Sequence, residues 1–206
     1  SARHLDSWLM PRGVCRDLFS HGARCSDFAL VEGQYDVVGG HSDVGGSLDK
    51  LCQWLDLPQV AIIDVQDLKP CCVLQLPPGV DALLLDGIRD LGHLCRLQTE
   101  LEARHGIPVL GALEQMPGIR TLVENLPSGQ TPSEDLCDAL GDELCRHLRL
   151  DKLLQLAGRR PLSAARGGLI TEHRFDGDLH IAVAYDEAFC CYFPDTLDLL
   201  ESRGAE

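Results

Sequence analysis

Three apolar runs in this chain stop at a carboxylate. Phe28-Ala29-Leu30-Val31 leads into Glu32, Val60-Ala61-Ile62-Ile63 into Asp64, and Ala82-Leu83-Leu84-Leu85 into Asp86. A single acid at a strand end has an ordinary explanation, since strands leave a sheet at its solvent edge. Three acids on one edge make a polar site that can meet a cation. The ten cysteines do not compete for that role. No C-x-x-C occurs, and most cysteines lie inside apolar helical or strand patterns. The side chains of the adjacent pairs Cys71-Cys72 and Cys190-Cys191 diverge and make poor disulfide partners. They read as reduced, buried thiols acting as small hydrophobes, none with an activating neighbour.

The elements that must carry the acids alternate between strand and helix. Pro11 to about Phe19 reads as a helix and Phe28 to Val31 as a strand. Ser47 is placed to cap a helix whose stripe is Leu48, Leu51, Cys52 and Leu55. Asp90 to His105 predicts an amphipathic helix closed by Gly106, and Pro108 to Leu113 the next strand. Near-continuous apolar strands separated by helices predict an α/β fold, a parallel sheet covered on both faces. Ligands of such sheets bind beyond the carboxyl ends of the strands, the edge expected to hold Glu32, Asp64 and Asp86. Residues 114–130 lose periodicity and read as a loop. Thr131-Pro132-Ser133-Glu134 then opens a helix, with Thr131 as its expected cap, running to about Leu156 with a break near Leu150-Asp151. The Arg-, Gly- and Ala-rich stretch 158–177 reads as a linker. Leu179 to Ala184 is expected to be a strand and Asp195 to Ser202 a helix.

Acidic residues outnumber basic ones 32 to 18, for a formal charge of -14. A surface that acidic repels phosphate backbones and anionic headgroups, so neither nucleic acid nor a membrane surface is an expected partner. No apolar run approaches the length of a membrane span and no leader pattern opens the chain. The expectation is a soluble, cytoplasmic protein.

The end of the chain, "IAVAYDEAFCCYFPDTLDLLESRGAE", resembles the segment that opens the glutamine amidotransferase half of the cobyrinic acid a,c-diamide synthases. The family pattern there is a short strand, Asp-Glu-Ala-Phe, an aromatic pair, Pro, a leucine-rich helix and Gly-Ala-Glu. "HLDSWLM" is similar to the family's Asn-Leu-Asp-x-Trp-Met-Met, and "VEGQYD" stands where the family has Glu-Gly-Val-Met-Gly. "GGSLDKLCQWLDLPQVAIIDV" and "GIPVLGALEQMP" follow in family order. The resemblance implies a three-layer, mostly parallel sheet of the P-loop, dethiobiotin-synthetase-like type. It divides the chain into a synthetase domain (1–160), a linker (161–177) and the start of an amidotransferase-like domain (178–206).

The activity it implies is ATP- and glutamine-dependent amidation of corrinoid carboxylates in cobalamin biosynthesis. In that family ATP activates the a and c acetates as acyl phosphates, and ammonia from glutamine attacks them. Magnesium bridges the β- and γ-phosphates and needs oxygen ligands, and by family position Glu32 is such a ligand. Asp6 falls in a motif near the substrate side, although its position also suits a helix N-cap. Asp86 and His93 fall at nucleotide-side positions.

The chain also departs from the pattern. It contains no G-x-x-x-x-G-K-[ST], the loop that cradles a triphosphate. The family carries that loop just before the point matching residue 1, so the chain reads as a fragment, inactive alone and expected either to dimerise or to be accompanied by the missing segment. Val38-Gly39-Gly40 replaces Phe-Asp-Gly, with Asp36 and Asp43 near enough to substitute. Asp86 replaces an asparagine, and a carboxylate can only accept where an amide also donates. The Pro-x-Arg-His-Leu-Gly-Leu segment is missing. Two further readings therefore stand beside the ligase: a non-catalytic binding or regulatory protein on a nucleotide fold, and a ligase for another carboxylate substrate.

Overall fold

The computed structural model describes residues 3–24, 26–33, 48–66, 68, 75–127, 130–159, 180–184 and 192–205. Among them lie helices α1 (Arg12–Ala23) and α2 (Leu48–Leu55), then strands β1 (Val60–Asp64) and β2 (Ala82–Ile88). Helix α3 (Leu91–His105), strand β3 (Val109–Glu114) and helices α4 (Pro117–Glu124), α5 (Glu134–His147), α6 (Leu150–Ala157) and α7 (Pro194–Ser202) follow. They form two compact units: Pro58–Arg160, and Ser1–Leu57 together with Pro161–Glu206.

In the 58–160 unit the strands pair in parallel in the order β1-β2-β3, so the α/β fold with a parallel sheet is borne out. Alternation along β2 separates two apolar sets. Leu83, Leu85 and Ala112 join Leu94, Leu97 and Leu101 of α3, while Ala82, Leu84 and Leu110 join Leu153 and Leu156 of α6. Both faces thus carry helices. Covering is incomplete over β1, where Ile62 is 72% exposed.

Helix α3 forms as its spacing predicts. The Asp90 carboxylate accepts the His93 N–H at 2.7 Å, and Gly106 closes the helix in the left-handed region. The Glu102 carboxylate accepts the Val109 N–H at 2.9 Å and thereby ties the end of α3 to the start of β3.

Some expectations are corrected. Residues 28–31 are irregular, not a strand, and Leu30 is 81% exposed. A short apolar run has no ladder of its own and needs a neighbouring strand to hold it extended, and no pairing reaches it among the described residues. The described residues 180–184 likewise form no strand. The expected loop at 114–130 contains α4, started by Pro117 at its first position with Ile119, Leu122 and Val123 at helical spacing. The cap of α5 is Ser133, not Thr131: its Oγ accepts the Leu136 N–H at 3.3 Å. Thr131 precedes a proline and is steered away from the helix. The predicted break falls at Leu148-Arg149. The cap at Ser47, and nearly all of the linker, lie outside the described residues.

Among the described residues, Cys15, Cys95, Cys137 and Cys145 are free. Among the described cysteines only Cys15 is buried, whereas Cys95, Cys137 and Cys145 are exposed, which corrects the expectation of buried thiols for those three. Apolar spacing places a residue on a helix, but the neighbouring elements decide which face is covered.

Candidate functional site

The carboxyl edge of the 58–160 sheet gathers charge as the strand pattern requires. Asp64 ends β1 and is the register partner of Asp86. Asp86 lies two residues inside the end of β2, because that strand runs on to Ile88 and does not stop at the acid as expected. Glu114 ends β3 opposite Ile88. Gly87, at φ +80, bends β2 beside Asp86 at a register shift, a conformation that costs a side-chain-bearing residue about 1–2 kcal/mol.

Asp86 is held by Arg120 of α4. One guanidinium nitrogen donates to Oδ2 at 3.1 Å and the other to Oδ1, a two-point pair. The hydrogen bond to Asp86 is the main reason the Arg120 guanidinium is pushed further toward its charged form, and Asp64 and Glu124 add to it. Asp64 accepts the Gln66 N–H at 2.9 Å. Arg120 was invisible in the sequence, because nothing local links it to a strand end that precedes it by 34 residues.

His93 lies at the start of α3, its Nδ1 accepting the Arg89 N–H at 3.2 Å. Burial lowers its basicity, and the charges of Arg89 and Arg96 add to that against Asp90. It is tied into the helix start. On the same sheet edge Glu114 meets Glu143 and His147 of α5, with donor atoms all within 4.8 Å of one another. Sequence reasoning missed this group. Its only sequence signal is the Glu143/His147 spacing of four, which puts both side chains on one helix face.

Within the other unit, Asp6 caps a turn before α1, accepting the Trp8 N–H at 2.7 Å and the Leu9 N–H at 3.1 Å. Those two donors hold its carboxyl below the usual range. Glu32 is exposed on a cleft that also includes Arg3, His4, Phe28 and Leu30. Arg3 is engaged by Asp195 and by Asp198, the latter at 2.6 Å. Asp36 and Asp43 lie outside the described residues.

A single accessible carboxylate such as Glu32 fits a magnesium ion, which takes one or two carboxylates and fills its remaining positions with water and phosphate oxygens. Arg3 and Arg120, each within its own unit, hold carboxylates. Among the described residues, no helix is long and apolar enough to cross a membrane.

No family model matches the chain, and neither does a solved structure. Curated proteins do match it. The cobyrinate a,c-diamide synthase of Picrophilus torridus is 25% identical over 98% of this chain and 49% of its own length. Those of Methanosarcina acetivorans and Syntrophotalea carbinolica are 26% and 27% identical, over 99% and 98% of this chain and 46% and 47% of theirs. The chain spans about half the length of the curated relatives it matches. The ordered motifs are therefore part of a likeness whose alignments span nearly the whole chain, and the chain is similar, at low identity, to the cobyrinate a,c-diamide synthases.

Proposed function

We propose that this chain serves an amide ligase of the cobyrinate a,c-diamide synthase type, which uses ATP and glutamine to amidate carboxylates of a corrinoid precursor in cobalamin biosynthesis. The observation that carries the reading is the near-complete coverage of the chain by relatives bearing that name. The parallel sheet with helices on both faces is in keeping with a P-loop, dethiobiotin-synthetase-like domain over residues 1–160, with 161–177 leading to an amidotransferase-like part from 178.

In this reading Glu32 supplies one oxygen ligand to magnesium. ATP, when bound, supplies the activation of the substrate carboxylate. Asp6 shapes the turn that presents Trp8 and Leu9, both largely exposed. The fixed Asp64, Asp86 and Arg120 group lines the carboxyl edge of the sheet. Small molecules, not nucleic acid or membrane, are the expected partners, in a cytoplasmic enzyme.

One observation favours the non-catalytic or re-specialised alternative. Both oxygens of Asp86 accept from Arg120, at the position where the family resemblance implies an adenine-side asparagine. Calorimetry of the intact protein with Mg-ATP separates the readings. The ligase reading expects binding heat, and magnesium-dependent turnover that Glu32→Gln weakens much more than Asp6→Asn does. No binding heat, or small and equal effects of the two substitutions, rejects it.

A further inference from the structure

We propose that Glu114, Glu143 and His147 form a binding site for a divalent transition cation of the zinc type. Glu114 comes from the end of β3, and the other two lie one turn apart at the end of α5. His147 Nε2 stands 3.1 Å from Glu114 Oε1, and the donor atoms of all three residues lie within 4.8 Å of one another. Zinc binds nitrogen and carboxylate oxygen at about 2.0–2.2 Å in tetrahedral geometry, so neighbouring ligand atoms lie roughly 3.4 Å apart. His147 and Glu114 already stand at such a separation, and side-chain rotation has to bring the remaining donor closer.

The second observation is the state of Glu143. The residue is 8% exposed. Its Oε2 is paired with Arg146 at 2.6 Å, while its Oε1 is buried with no hydrogen-bond partner. A buried carboxylate oxygen without a partner is costly, and a cation bound through it would satisfy it. An imidazole nitrogen with two carboxylates suits zinc, whereas magnesium and calcium take oxygen donors. Three protein ligands leave a position open for water or another small ligand.

The site is built on fixed elements. Arg149 N–H donates to the Leu110 carbonyl at 2.7 Å, and its guanidinium donates to the Val109 carbonyl. These bonds lock the end of α5 against β3.

The test is a titration of the intact, reduced protein with Zn²⁺ in a metal buffer, paralleled by Co²⁺ absorption spectra. The expected result is one ion per chain and a cobalt spectrum of nitrogen and oxygen ligands without thiolate charge transfer. Glu143→Gln and His147→Ala should each weaken binding at least about tenfold, the range seen when ligand surroundings are altered, while His105→Ala leaves it unchanged. Absence of stoichiometric binding, or unchanged affinity in the two variants, overturns the proposal. A thiolate-type cobalt spectrum of the unsubstituted protein overturns it without reference to any variant. None of these readouts depends on ATP or on ligase activity, so this proposal and the functional one fail separately.

Discussion

Gly111 is a strand residue whose missing side chain has a measurable consequence. A β-carbon built there lies 2.8 Å from Leu148 Cα, 3.0 Å from the His147 carbonyl oxygen and 3.1 Å from Leu148 Cδ1. Two of these atoms are backbone, so no rotamer change relieves the contact. Retreat of the α5 end is resisted by the hydrogen bonds of Arg149 to Leu110 and Val109. Overpacking of a close-packed interior costs about 1–3 kcal/mol, and one strained backbone hydrogen bond adds about 1 kcal/mol. Against this, replacing glycine restricts the unfolded chain and returns about 0.4–1 kcal/mol. Gly111→Ala should therefore lower stability by about 2 kcal/mol, or about 4–8 °C in melting temperature for a chain of this size. Urea unfolding followed by circular dichroism measures it. Gly118→Ala on α4 is the control, because nothing lies within 4 Å of its β-carbon, and it should not destabilise. Equal stability of Gly111→Ala and the unsubstituted protein would refute the close docking of α5 on β3.

Two further outcomes test the packing and the charges. Leu83 is fully buried and Ile62 is 72% exposed. Leu83→Ala should cost about 3 kcal/mol and Ile62→Ala no more than about 0.5 kcal/mol in the same unfolding assay, and similar losses would mean that the two faces of β1 and β2 are misassigned. In the other unit, burial alone would raise the Asp198 carboxyl, but hydrogen bonds and charge from Arg3, with His21, hold it below its ordinary value. A depressed folded value means stability that is complete above the unfolded-chain pKa of about 3.9 and lost as pH falls through the lower folded one. Denaturation across pH 2–6, roughly the carboxylate range, should show a shallower acid loss for Asp198→Asn, and an unchanged slope would remove the Arg3 pair from the account.

Local chemistry determined much of this protein from sequence alone. The strand and helix at 82–105, the closing Gly106, the helix over 134–147 and the acid at the end of β1 all follow from periodicity, caps and alternation, which act over a few residues. The order of motifs also carried the family resemblance. Tertiary structure alone decided the rest, because those features depend on partners distant in sequence. Phe28 to Val31 has strand composition but no ladder to join, so it is irregular. Asp86 is a strand-end acid in sequence, but only the fold brings Arg120 to it. Glu114, Glu143 and His147 are unremarked in a linear reading, and they meet because Gly111 leaves room for the end of α5 to rest on β3. The carboxylates were legible one at a time; which cation or arginine faces each of them is set by contacts that the chain makes only when folded.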